Sequence, residues 1–205
     1  VANDFSDAVD MRVNYSTSYH GGRREPDAYV VEPDSSLDPD DSNDYGLEFV
    51  SPPMPIDEMV NQLNMVKEWA DSYGCYTNKS TGLHINISVP NYDLAKLDYV
   101  KLALLLGDKY ILDQYGRSSN TYAKSALGKV QDLIKRDPSK GKDLLDKMRG
   151  HLEDLATKAI HSGSTDKYTS INTKSGYIEF RSPGGDWLNE NFDKIENTLM
   201  RFTVA

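Results

Sequence analysis

Residues 177–185 read Tyr177-Ile178-Glu179-Phe180-Arg181-Ser182-Pro183-Gly184-Gly185, and residues 46–53 have already said nearly the same thing as Gly46-Leu47-Glu48-Phe49-Val50-Ser51-Pro52-Pro53. Successive side chains of a β-strand point to opposite faces. Leu47 and Phe49 therefore share one face and Glu48 takes the other, just as Ile178 and Phe180 oppose Glu179 and Arg181. Each copy runs into Ser-Pro, and proline cannot continue a central ladder because it has no N–H to donate. The matching residues are too few to show a duplication. The simpler account is that two strands of one sheet obey one rule, apolar residues inward and a carboxylate outward. Arg181 distinguishes the second copy.

Two more stretches obey the rule. In Gly82-Leu83-His84-Ile85-Asn86-Ile87-Ser88, the apolar Leu83, Ile85 and Ile87 alternate with His84, Asn86 and Ser88. In residues 167–173, KYTSINT, the polar parity holds Tyr168, Ser170 and Asn172. Placed in one sheet, these strands form a concave polar face floored by Glu48, Glu179, His84 and Arg181. An ordinary solvated face mixes Thr, Lys and Glu. This set instead combines carboxylates for a hard cation with an arginine able to clamp an anion, which suits Mg2+ with a polyphosphate.

The rest of the chain supplies the frame. Residues 3–10 form a short helix, residues 11–18 alternate as a strand, and Ala28 to Glu32 reads as another. His20-Gly21-Gly22-Arg23-Arg24 reads as a solvated turn, and the Asp-, Ser- and Pro-rich residues 33–43 as a loop. Pro53 and Pro55 precede a helix whose first turn carries Asp57 and Glu58 and whose stripe is Met59, Leu63, Val66 and Ala70; it ends at Gly74. A long helix is expected from Asp93 to Tyr115. A helical insertion comes next, over about 119–162, with Asp137-Pro138 starting an amphipathic helix through Leu145, Met148, Leu152, Leu155 and Ala159. A hairpin turn at Lys174-Ser175-Gly176 joins the last two strands, and residues 191–202 close the chain as a helix. This order predicts an α+β fold, a mostly antiparallel sheet with helices packed on one face, in a single domain spanning 1–205.

Composition excludes several functions. The 205 residues hold 23 Lys and Arg against 32 Asp and Glu, a formal net charge of -9 that opposes broad affinity for nucleic acid. No stretch approaches the roughly 18 consecutive apolar residues of a membrane helix, so no membrane partner is expected. Cys75 is the single cysteine, which precludes an internal disulfide and fits a reducing compartment such as the cytoplasm. No phosphate-loop, dinucleotide-binding, HExxH or paired CxxC motif occurs. His20, His151 and His161 fall in polar surroundings and read as solvated. The chain begins at Val1 and stops on Thr203-Val204-Ala205, which reads as a piece of a longer polypeptide.

The ordered series AYVVEPDSSL, GLEFVSPP, GLHINI, Gly116-Arg117, KYTSIN and YIEFRSPGG resembles the amidoligases of the glutamine-synthetase-like group of carboxylate-amine ligases. The resemblance covers about residues 28 to 190. It implies an ATP- and Mg2+-dependent reaction in which a carboxylate accepts the γ-phosphoryl group and an amine then displaces phosphate. Carried over by position, Glu48, Glu179 and His84 would be metal or phosphate ligands, with Asn86 beside His84. Arg181 would stabilise the transferred phosphoryl group, with Glu179 and Arg117 as its catalytic companions. Asp34 and Ser36 would border the site, and Tyr168 and Asn172 would line it. The implied partners are small-molecule or peptide carboxylates and amines, and the remainder of a larger, phage-type polypeptide found in host cytoplasm or virion.

Three positions depart from the family pattern. No G-x-E-x-E strand precedes Asp34, Asn86 stands where a second histidine is frequent, and Lys167 replaces an arginine. Two readings remain: a working amidoligase, or an inactive amidoligase-like module with a structural or partner-binding role.

Overall fold

The structure is a computed structural model that describes residues 2–121, 123–136, 169–174 and 176–205. The fold is α+β, and the chain divides into two compact units. The first comprises Val1–Thr81 with Leu188–Glu190, and the second Gly82–Trp187 with Asn191–Ala205.

The first unit contains α1 (Ala2–Val9), β1 (Arg12–Tyr15), β2 (Ala28–Pro33), β3 (Leu47–Val50) and α2 (Ile56–Ser72). Its sheet has the order β1-β2-β3, with β1 parallel to β2 and β2 antiparallel to β3. The alternation predicted for GLEFV is present. Val31 pairs with Phe49 on one face, and Glu32 pairs with Glu48 on the other. The helices cover the apolar face. Phe5 of α1 is fully buried, and its ring meets Tyr29, Phe49 and Trp69 edge-on at 5.3, 5.0 and 4.8 Å. Aromatic edge-to-face pairs at this spacing add to the burial energy of the rings. The predicted stripe of α2 is only partly right: Ala70 is buried with Trp69 and Gln62, whereas Met59, Leu63 and Val66 are half-buried. Gln62 is tolerated inside because it donates to the Val9 carbonyl at 3.0 Å and accepts from the Tyr29 hydroxyl at 3.2 Å.

The parallel β1–β2 pair accounts for the long connection between these two strands. Parallel strands cannot be joined by a tight hairpin and need a crossover of about a dozen residues, usually a helix. Here residues 16–27 cross as a helix-free loop. Arg12, at the start of β1, holds the loop's far end through Glu25 at 2.7 Å and Asp27 at 3.0 Å.

The second unit contains β4 (Ile85–Ile87), α3 (Tyr99–Leu106), α4 (Asp108–Gln114), α5 (Ala126–Arg136), β5 (Ile171–Lys174), β6 (Tyr177–Phe180) and α6 (Ile195–Val204). Its sheet order is β4-β6-β5, antiparallel throughout. Phe180 is the centre of the apolar face. It pairs in register with Ile85 on one side and Ile171 on the other, and stacks on Phe202 of α6 at 4.2 Å. Leu102, Leu106, Ile111 and Tyr115 complete this core.

Two expectations are corrected. The predicted strands do not share one sheet: Glu48 belongs to the first sheet, and His84, Glu179 and Arg181 to the second unit. Strand alternation tells which face a side chain takes and carries no information about which sheet the strand joins. The helix expected from Asp93 to Tyr115 is broken into a 3-10 turn at Leu94–Lys96, then α3, then α4. Gly107 lies between α3 and α4 with φ of 63°, so it serves as the left-handed C-cap of one and the N-cap of the other. The Asp137-Pro138 helix and most of the predicted insertion lie outside the described residues, as do Tyr168, His151, His161 and Lys167. Among the described residues, no helix is long and apolar enough to cross a membrane.

Candidate functional site

Each sheet turns one charged face away from its aromatic core. In the second unit this face is centred on Glu179, whose Cα partners on the neighbouring strands are Asn86 and Asn172. One oxygen, Glu179 Oε2, accepts from Asn172 Nδ2 at 3.2 Å and lies 3.5 Å from both Arg181 and Lys174. Burial favours the protonated acid here, but Arg181, His84, Lys174 and the Asn172 hydrogen bond outweigh it and hold the carboxyl below its usual range.

Positive charge is concentrated around that carboxylate. Arg117, just beyond α4, is buried and donates from NH1 to the Pro183 carbonyl at 2.8 Å. Burial and the neighbouring Arg181 cation push its pKa down to about 10. The Nε atom of Arg181 is buried and has no hydrogen-bond partner among the described residues. His84 keeps solvent contact, yet its crowded setting and the cations Arg181, Arg117 and Lys174 lower its pKa, against the pull of Glu179. It is a neutral imidazole at neutral pH. Arg181 and Lys174 flank this carboxylate and Arg117 lies near Arg181, a local concentration of positive charge in a chain of net charge -9.

The Ser-Pro exit fixes this geometry. The Pro183 carbonyl accepts from Arg117 NH1 and also from the Leu83 backbone N–H at 3.1 Å. Leu83 immediately precedes His84, and Pro183 lies two residues beyond Arg181.

In the first unit, Glu48 faces Glu32 across the β2–β3 pair. Glu32 is fully buried. Its carboxylate accepts from the Gly22 N–H at 3.2 Å and from Arg24 at 3.0 Å, and His20 Nδ1 lies 3.4 Å away. Burial opposes ionisation of Glu32, but these donors hold its carboxyl below the usual range. Glu48 goes the other way: burial first, then the charges of Asp34 and Glu32, raise its pKa against Arg24 and His20. One of its oxygens, Oε2, is buried with no hydrogen-bond partner among the described residues.

The structure thus brings Glu179, Arg181, Arg117, His84, Asn86 and Asn172 together within the second unit, with Glu48 in the first. Asp34 and Ser36 close a local turn, Asp34 Oδ1 accepting from the Ser36 backbone N–H at 2.8 Å and its hydroxyl at 2.7 Å. Sequence reasoning missed Glu32, Arg24 and Lys174, and read His20 as merely solvated. The His20 ring is indeed 64% exposed in its side chain, but it is paired to Glu32. The only sequence signal for Glu32 was a carboxylate ending the apolar run AYVV; its place beside Glu48 comes from the β2–β3 pairing.

An α+β chain with one charged face on each of two small sheets, one of them strongly anion-attracting, is the class of protein that the geometry defines. Residues 1–199 match a family model whose description is "Putative amidoligase enzyme", and the chain belongs to that amidoligase family. The match runs through both compact units. No curated protein and no solved structure matches the chain.

Proposed function

We propose that this chain is the catalytic domain of an ATP- and Mg2+-dependent amidoligase, joining a small-molecule or peptide carboxylate to an amine through an acyl phosphate. The observation that carries this reading is that buried Arg117 and half-buried Arg181 are held close together, the Arg181 cation depressing the Arg117 pKa, on a face where Arg181 and Lys174 also flank the Glu179 carboxylate at 3.5 Å. Like charges are held together in this way where a multiply charged anion is to be bound.

In this reading Arg181 contacts the phosphoryl group, and its unpartnered Nε is available to donate to an oxygen of that group. Glu179 and Asn172 hold Arg181 in place, and Arg117 fixes the loop that comes after it. Neutral His84 accepts or donates a hydrogen bond at the same face without adding charge, and Asn86 lies beside it. Mg2+ bound with the nucleotide would neutralise phosphate charge, and Glu179 is the carboxylate on this face that could meet a hard cation.

Thermal unfolding with and without Mg-ATP tests the reading. A ligand at 100 times its Kd adds about 2.7 kcal/mol to stability, so a clear rise in Tm is expected, and Arg181→Ala should abolish it. A flat response of the unsubstituted protein to millimolar Mg-ATP would sink the proposal.

A further inference from the structure

We propose that His20, Glu32 and Glu48 form a self-contained divalent-metal site in the first unit, suited to Mn2+ or Zn2+ and filled without nucleotide. Each residue offers one ligand atom, and the three atoms lie within 4.8 Å of one another. A metal about 2.1 Å from each ligand brings any two to within about 4.2 Å. Small side-chain rotations close that gap, and the exposed His20 ring is free to make the largest of them.

The donors are more than an acidic cluster. An imidazole nitrogen joins two carboxylates, and this mixed nitrogen and oxygen set favours Mn2+, Zn2+ or Fe2+, whereas Mg2+ prefers oxygen alone. A second observation is independent of proximity: Glu48 Oε2 is shut off from water and has no hydrogen-bond partner among the described residues. An acceptor in that position leaves a desolvation cost unanswered unless something positive meets it. Arg24 acts on Glu48 through its charge but makes no hydrogen bond to this oxygen, its guanidinium donating to Glu32 Oε1 at 3.0 Å instead.

The crossover loop is shaped for the task. Residues 16–27 lie against the charged face of the sheet, and Gly22 approaches so closely that a Cβ there would sit 2.2 Å from Val30 Cγ1 and 3.2 Å from Glu32 Oε2. The same approach lets the Gly22 N–H and Arg24 hold the Glu32 carboxylate from outside, as supporting hydrogen bonds hold the ligands of metal sites. Glu32 still has lone pairs to offer.

This site lies in the first unit and the face that carries the amidoligase reading in the second, so the two fail separately. The probe is Mn2+ alone, titrated into the whole chain and followed by the loss of the free-ion EPR signal and by calorimetry. One Mn2+ per chain is expected. His20→Ala and Glu32→Gln should each weaken binding by about tenfold or more, and Glu179→Gln in the other unit should leave it unchanged. Should Glu32→Gln fail to fold by circular dichroism, His20→Ala decides, because that ring is mostly exposed. Absence of Mn2+ binding at millimolar concentration, or equal affinity in His20→Ala, overturns the site. Mn2+ binding without any response to Mg-ATP overturns the amidoligase reading alone.

Discussion

Glu32 and Glu48 are Cα partners in the antiparallel pair β2–β3, so two carboxylates stand side by side on one face of a sheet. Among the described residues, Glu32 alone of the two accepts a hydrogen bond from an arginine, Arg24 at 3.0 Å. The pair is stored repulsion, and it sets the first prediction.

Glu48→Gln should stabilise the metal-free protein at pH 7.5. The folded-state pKa of Glu48 is raised above its ordinary 4.5 by burial and by Asp34 and Glu32. Ionising it therefore costs the folded state more than the unfolded one, and stability falls as pH rises through that window. Removing the charge should add about 1 kcal/mol, measured by urea denaturation with chelator present. A loss of stability would mean that the carboxylate makes a favourable contact in the free protein.

His84 sets a pH dependence of opposite sign. Its folded pKa lies below the ordinary 6.5, through partial desolvation in its crowded setting and the Arg181 charge. As pH falls below 6.5 the unfolded chain takes up a proton that the folded protein does not, so stability is lost toward acid. Tm measured from pH 7.5 to 5 should fall less steeply in His84→Asn than in the unsubstituted protein. Parallel curves would show that the ring titrates normally.

Phe180→Ala should cost about 3–5 kcal/mol, the range for emptying a buried aromatic position. Phe180 is 1% exposed, stacked on Phe202 and flanked by Ile85 and Ile171. Chemical denaturation followed by circular dichroism measures the loss, and a cost under 1 kcal/mol would contradict the packing described for this core.

Gly107→Ala should destabilise by about 1–2 kcal/mol, the cost of a left-handed backbone for a residue with a Cβ. The added methyl would meet Arg201 and Tyr110 only at 3.6 Å, an ordinary contact, so the penalty is conformational rather than steric. A neutral result would show that α3 and α4 join as one helix, as the sequence alone suggested.

Much of this architecture is written in side-chain parity. GLEFV, GLHINI and YIEFR each put the expected residues on the expected faces, because a strand has only two faces and apolar residues must choose the covered one. The partition into two sheets was not legible, since pairing depends on contacts between distant segments. The break at Gly107 was signalled by Leu-Gly-Asp, but the apolar run before it imitates a continuous helix. Glu32 escaped notice for a related reason. As the polar end of AYVVE it resembles any strand terminus, and its meaning comes from the crossover loop that folds over it.

The Pro183 carbonyl, which receives both Arg117 and the Leu83 N–H, acts as a shared anchor for three otherwise separate stretches of chain. Proline brings no N–H of its own, so this oxygen is the residue's whole polar allotment, and both of its lone pairs are spoken for. A displacement of the loop at Pro183 would disturb His84, Arg117 and Arg181 at once. Engineering a new specificity into this face by altering the Ser-Pro-Gly-Gly loop would therefore shift both guanidiniums and the imidazole together, whereas substitutions on the strands could retune them one by one.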